Sequence, residues 1–225
     1  MRYRLSWWFV VGSIAVWAVT GSVHAIIRGI IFFSLFESSG ITALALYARI
    51  IDAVVFATVA SLGAACAGLL LLPVRDVLPV GPWIAYSVLG VVVGVLLRWL
   101  TPSFLFPPLV FEGMQGAAFG LGLGIVQAQM LRSRGFEVTT QWAMISAAAW
   151  GVAGVCDELS RQITPSGLGV PSLITLFVVS SVLPGLVTGL ALRRIVGRAP
   201  VELETPARHA STSATAGVSR STGAS

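Results

Sequence analysis

The chain contains no lysine and no asparagine, and all 14 of its basic residues are arginine. Without lysine, catalysis through a Schiff base is excluded. Only two histidines occur, His24 and His209, and His209 stands in a polar C-terminal stretch. The two cysteines, Cys66 and Cys156, lie apart in apolar stretches, with no CxxC spacing and no Cys/His cluster. That argues against a metal site or redox pair and for buried, inert thiols, and no cofactor is expected. Charge is scarce as well, at 10% of 225 residues, where soluble domains carry about 25%. The net charge of +5 does not point to nucleic acid. The arginines gather beside apolar stretches and in the tail, where membrane orientation and headgroup contact account for them.

What the chain has in quantity is apolar surface. Hydrophobic residues make up 56% and mean hydropathy is +0.90. The expectation is an all-α integral membrane protein, a six-helix transmembrane bundle. At about 20 apolar residues per crossing, the spans read as 7–27, 53–72, 82–100, 113–131, 141–156 and 172–195. The apolar extensions at 30–36 and 41–46 are broken by Glu37, Ser38, Ser39 and Gly40. They read as helices that project past the bilayer or lie along it. From 199 to 225 Ala, Ser, Thr and Gly dominate without aromatics. Such a segment buries too little apolar surface to order itself. The expected organisation is a membrane domain over 1–198 and a disordered cytoplasmic tail.

Orientation follows from the arginines. With the N-terminus inside, the cytoplasmic segments hold Arg2, Arg4, Arg75, Arg132, Arg134, Arg193, Arg194 and Arg198. The opposite side holds only Arg28, Arg49, Arg98 and Arg161. Positive charge stays inside, so both termini are expected in the cytoplasm of a cell with this protein in its inner (plasma) membrane. A signal peptide competes for the N-terminus: Arg2 and Arg4, an apolar run, then Val23, His24 and Ala25 as a small-residue cleavage site. The length of that run and its Trp7, Trp8 and Trp17 favour an uncleaved span.

The fourth apolar stretch carries small residues four apart, Gly116, Gly120, Gly124 and Ala128. Positions four apart form one row on a helix. Glycine in a helix costs roughly 1 kcal/mol relative to alanine. The row makes sense if another backbone packs against it, as in small-xxx-small contacts between membrane helices. By that logic Gly120→Leu or Gly124→Leu should destabilise far more than Leu123→Ala. The pattern recurs. Gly90, Gly94, Leu97 and Arg98 close the third span, Gly124, Ala128, Leu131 and Arg132 the fourth, and Gly185, Gly189, Leu192 and Arg193 the sixth. Trp83 and Ser87 recur as Trp142 and Ser146, which suggests related helical hairpins.

Residues 120–151 read G-x3-G-x2-Q-x3-L-R, a short loop, then W-x3-S-x3-W-G. Gly120, Gly124, Gln127, Leu131, Arg132, Trp142, Ser146, Trp150 and Gly151 carry the pattern. It resembles a broad set of small, uncharacterised bacterial multi-pass membrane proteins built from such hairpins. The resemblance covers one hairpin clearly, and it implies the hairpin fold but no activity.

Several residues are candidates for chemistry. Glu37, Asp52, Glu112, Asp157 and Glu158 fall towards the extracytoplasmic side, with Arg28, Arg49, Arg98 and Arg161. Charge at membrane depth pairs or lines a watery cavity. Arg49 with Asp52, and Glu158 with Arg161, are three apart and can meet on a helix face. Arg49, Asp52, Arg98, Glu112, Glu158 and Arg161 are therefore the candidate ligand-binding set. Asp52 and Glu112 are expected to pair with arginines from Arg49, Arg98 and Arg161. The alternative for the whole set is interfacial ion pairs that hold helix ends together. The arginines that close the repeats read as complements to helix C-termini. Gln127 and Gln129 suit interhelical hydrogen bonds. The loop at 101–111, rich in Pro and Phe, is expected at the outer interface or in the bundle mouth.

Two protease classes fail. Asp157, Glu158 and Arg161 resemble the paired-acid-then-Arg motif of CAAX-type intramembrane proteases, but the Arg is one residue too close and that family's histidines are missing. The rhomboid Gly-x-Ser-Gly nucleophile is absent too. His24 reads as an interfacial polar residue, and no catalytic residue is assigned. A structural or partner-binding membrane module is the leading expectation, in contact with lipid and with a membrane-protein partner or further copies of itself. A small transporter, or the substrate-binding subunit of one, is the alternative. A cavity lined by the outer charges would favour the transporter; the same charges paired, with no cavity, would favour the module.

Overall fold

The computed structural model describes residues 5–36, 43–76, 78–101, 106–136, 139–163 and 170–197, with side chains outside 32–49, 139, 160–161, 163 and 170–179. All regular structure among them is helical. Six helices follow in order: α1 (Trp7–Phe36), α2 (Ala43–Leu69), α3 (Val80–Leu100), α4 (Pro108–Ser133), α5 (Thr139–Ile163) and α6 (Val170–Val196). The segment from 199 onwards, Glu37 and the middle of the proline-rich loop lie outside the described residues.

The helices are longer than the apolar stretches suggested, and the local chemistry explains why. Proline suits the first position of a helix, where its missing N–H is not needed. Pro108 therefore starts α4 directly after Pro107, and Pro107 accepts the first hydrogen bond from Phe111 at 2.9 Å. Residues 108–111 are thus helix rather than loop. Gly135 terminates α4 with φ +78°. There the Phe136 N–H donates to the Leu131 carbonyl at 3.1 Å and the Gly135 N–H to the Arg132 carbonyl at 2.9 Å. That is the bonding of a glycine-terminated helix, with Phe136 and Leu131 packed in one cluster as such ends require.

Four helices are long and apolar enough to cross a membrane: Trp7–Ile31, Ile50–Leu69, Val80–Leu100 and Pro108–Ser133. Burial runs opposite to that of a soluble bundle. Trp8, Val19, Val54, Leu62, Leu96, Ile125, Met144 and Val152 are exposed, while Ser13, His24, Ser87, Gln127 and Ser146 are buried. Cys66 is exposed on this apolar exterior and Cys156 is half-buried. The expectation of buried thiols is therefore corrected, since α2 turns Cys66 outward.

Each helix packs against its neighbours in sequence, and α6 returns to α1, so the six close into a ring. Three contacts are backbone-close. A methyl at Gly116 would overlap the Trp150 carbonyl oxygen, and one at Gly120 the Ser146 carbonyl oxygen. One at Gly124 would come within 2.7 Å of Ala143 Cα. Across α3 and α4, a methyl at Gly122 would lie 2.6 Å from Gly94 Cα. Across α1 and α6, one at Gly185 would lie 2.8 Å from the Ser13 carbonyl oxygen, whereas Gly189 has ordinary 3.4 Å contacts. Ala128 is buried among Leu131, Met130 and Trp142. The repeat-closing arginines diverge: Arg132 is exposed, Arg98 turns inward, and Arg193 fastens α6 to the start of α1. Arg193 Nε donates to the Leu5 carbonyl at 2.9 Å, and its guanidinium sits 4.0 Å from the Trp7 ring centroid.

Candidate functional site

The ring lines a cavity of about 90 Å3 that is open to solvent on one side. It runs from the middle of α1, α2 and α5 towards the C-terminal end of α3 and the N-terminal halves of α4 and α6. Helical spacing puts the lining on shared faces. On α1 these are Trp17, Gly21, His24 and Arg28, at steps of four, three and four; on α4 Glu112, Gly116 and Phe119; on α5 Trp150, Gly154 and Asp157.

Charges of both signs surround the space. Arg28 Nε lies 3.2 Å from Asp52 Oδ1, and His24 Nε2 lies 3.6 Å from the same oxygen. His24 is 6% exposed and lines the cavity. Arg98 Nε donates to Gln115 Oε1 at 3.2 Å, and its guanidinium stands 5.1 Å from the Phe56 centroid. That is a cation–π distance. Glu112 and Asp157 complete the lining from α4 and α5.

The floor is aromatic. Trp17 and Trp150 meet edge-to-face at 5.1 Å between centroids, Trp150 and Phe119 at 4.7 Å, Phe119 and Phe56 at 4.9 Å, and Phe56 and His24 at 5.2 Å. Each such contact contributes roughly 0.5–1.5 kcal/mol beyond burial, so the floor is a stiff, continuous layer.

Below it lies a second, smaller cavity of about 40 Å3. Its polar groups are linked: Gln127 Nε2 donates to Ser87 Oγ at 2.9 Å, and Trp142 Nε1 donates to Gln127 Oε1 at 3.1 Å. The relay ties α3, α4 and α5 together. Trp83 and Trp142, equivalent positions in the repeat, face each other edge-on at 6.3 Å.

The six candidate residues separate. Arg98 and Glu112 line the upper cavity, and Asp52 holds the two α1 residues that line it. Glu158 accepts a hydrogen bond from Gln162 at 3.0 Å and is not part of the lining. Arg49 and Arg161 lie on α2 and α5, but their side chains are outside the described residues. Asp52 meets Arg28; the side chains of Arg49 and Arg161, two of the three arginines anticipated for it, lie outside the described residues. Arg28 on α1 reaches Asp52 on the neighbouring α2, which spacing along one helix cannot reveal. His24, Arg28, Asp157 and the aromatic floor were also missing from the expected set. The four-three-four spacing from Trp17 to Arg28 carried that signal. Among the described residues no three His, Cys, Asp or Glu side chains group as metal ligands.

A double-mutant cycle on Arg28→Gln and Asp52→Asn should give a coupling of about 1 kcal/mol, the upper end for partly exposed ion pairs. Strictly additive effects on thermal stability would mean that the contact contributes nothing. No protein-family model, curated protein or solved structure matches this chain.

Proposed function

We propose that this chain is a six-span protein of the bacterial inner membrane, with both termini cytoplasmic, that binds a small solute bearing both charges in the extracytoplasmic cavity. The sequence on its own ranks a structural or partner-binding module first. The observation that supports the other reading is the cavity itself: arginine and carboxylate side chains share one lining with a cluster of aromatic rings. Its lining, a few charged groups among aromatic rings, is of the kind that small-molecule sites use. Arg28 and Arg98 offer a carboxylate two cations, Glu112 and Asp157 offer an ammonium two anions, and Phe56, Phe119 and Trp150 take an apolar body. These charges already have partners within the protein, which a solute's own charges would replace like for like. The Arg28–Asp52–His24 contact is what favours the module.

A three-member probe set separates the two. Phenylalanine carries both charges, phenethylamine only the cation and 3-phenylpropionate only the anion. Zwitterions from an α-amino-acid panel that includes phenylalanine should raise the melting temperature in detergent, at saturation by up to about 2.7 kcal/mol for a concentration 100-fold over Kd. The singly charged analogues should not, and Arg98→Gln should abolish the effect. A panel without any stabilising zwitterion would return the structural module to first place.

The membrane arrangement has its own test. Reporter fusions after Val138 and Val201 should report cytoplasm, and one after Pro107 the outside, because arginine is retained on the inner face. An external signal from the Val201 fusion would sink the six-span arrangement.

A further inference from the structure

The two cavities share two lining residues, Trp17 and Trp150. Every helix contributes to both, from successive stretches along its length. Thus α1 gives His24 and Arg28 above but Phe9 and Ser13 below, and α4 gives Glu112 and Gly116 above but Leu123 and Gln127 below. The cavities are therefore stacked along one axis through the ring, and the Trp17–Trp150 pair is the partition. Both spaces have polar walls: charges above, and Ser13, Ser87, Gln127 and Thr188 below. Polar side chains facing inward at membrane depth are costly unless they serve packing or a polar path.

We propose that Trp17 and Trp150 form the gate between two compartments of a single path for a small polar solute. The proposal rests on the binding reading above and extends it from capture to passage. A second feature lies at the same depth. Pro184 is buried within α6, between Ser180 and Ser181 of the upper cavity and Thr188 of the lower. Proline lacks the N–H that would bond the Ser180 carbonyl and kinks or loosens a helix at that point. The α6 wall can therefore bend beside the gate. Gly116 and Gly120 on α4 also admit the α5 backbone on either side of Trp150, with the Trp150 carbonyl against Gly116 and the Trp150 Cβ 2.8 Å from a methyl at Gly120. The Trp150 backbone is held by that packing, so opening requires its ring to leave the edge-to-face contacts with Trp17 and Phe119.

Cysteine accessibility tests the gate without knowledge of the solute. In a Cys66→Ala, Cys156→Ala background, Ser181→Cys and Thr188→Cys place thiols in the upper and lower cavities, about 10 Å apart at 1.5 Å per residue. Right-side-out and inside-out vesicles are treated with a small membrane-impermeant cationic methanethiosulfonate. Ser181→Cys should react from one face only, and Thr188→Cys should not react from that face. Adding Trp17→Ala or Trp150→Ala should make Thr188→Cys react from that face at about the rate of Ser181→Cys. Trp17→Phe, which keeps a ring, should leave it closed. Retained labelling of Ser181→Cys shows that each variant is folded; Trp17→Leu and Trp150→Leu replace any alanine variant that fails this check. Reaction of Thr188→Cys from the upper face with both tryptophans present would overturn the gate. So would no reaction after both are replaced in folded protein. Failure of Ser181→Cys to react from either face would instead overturn the binding cavity itself.

Discussion

Gly120→Leu should unfold the bundle at temperatures where the parent protein is intact, with a loss well beyond the roughly 1–3 kcal/mol of ordinary overpacking. The reason is the kind of atom it meets. A methyl at Gly120 already overlaps the Ser146 carbonyl oxygen. A flexible side chain can rotate aside, but a helix backbone moves only with its whole helix. Here α5 would have to shift, and with it Trp142, Trp150 and the closure of the ring. Gly29→Ala is the matched control, because a methyl there meets nothing within 4 Å. It should be neutral or stabilising by up to about 1 kcal/mol, the helix-propensity gain. Leu123→Ala, the mild comparison anticipated from sequence, is not one. Leu123 is 3% exposed and packs against Gly90, so its removal should cost about 2–5 kcal/mol. Equal melting temperatures for Gly120→Leu and Gly29→Ala in detergent would refute backbone packing at this face.

Gln127→Leu should cost about 1–4 kcal/mol despite its near-equal volume. It leaves two buried groups without partners, the Trp142 Nε1–H and the Ser87 hydroxyl, at about 1–3 kcal/mol for each. Membrane hydrogen bonds measured singly are weaker, about 0.6–2 kcal/mol, which sets the lower end. The triple change Gln127→Leu, Ser87→Ala and Trp142→Phe should recover much of the loss, since no orphaned group remains. Thermal melting of the three proteins decides it. A triple variant no more stable than Gln127→Leu would show that the relay matters through shape and not through its hydrogen bonds.

Helix number and helix type were legible because apolar runs of membrane length leave few alternatives. Helix ends were less so. Pro108 looked like loop because proline marks turns, yet at the first helical position it is compatible with the helix it opens. The site was half legible. Arg98 and Glu112 stood out as charges at membrane depth, and both line the cavity. Asp52 was singled out, but its Arg28 contact was not anticipated, because that arginine comes from a different helix. The aromatic floor was invisible for another reason. Trp17, Phe56, Phe119 and Trp150 are common interior residues in a membrane chain, and only the closure of six helices shows that they form one layer.

The Arg193 clamp on Leu5 and Trp7 also bears on biosynthesis. Of the two helices, α1 leaves the ribosome well before α6, which is one of its principal neighbours. Until α6 arrives, Ser13 and the backbone at Ile14, which Gly185 will cover, have no mate on that side. The ring therefore closes late, when α6 zips onto the much older α1. A chain that stops before residue 170 should insert yet stay unsealed, a natural target for membrane quality control.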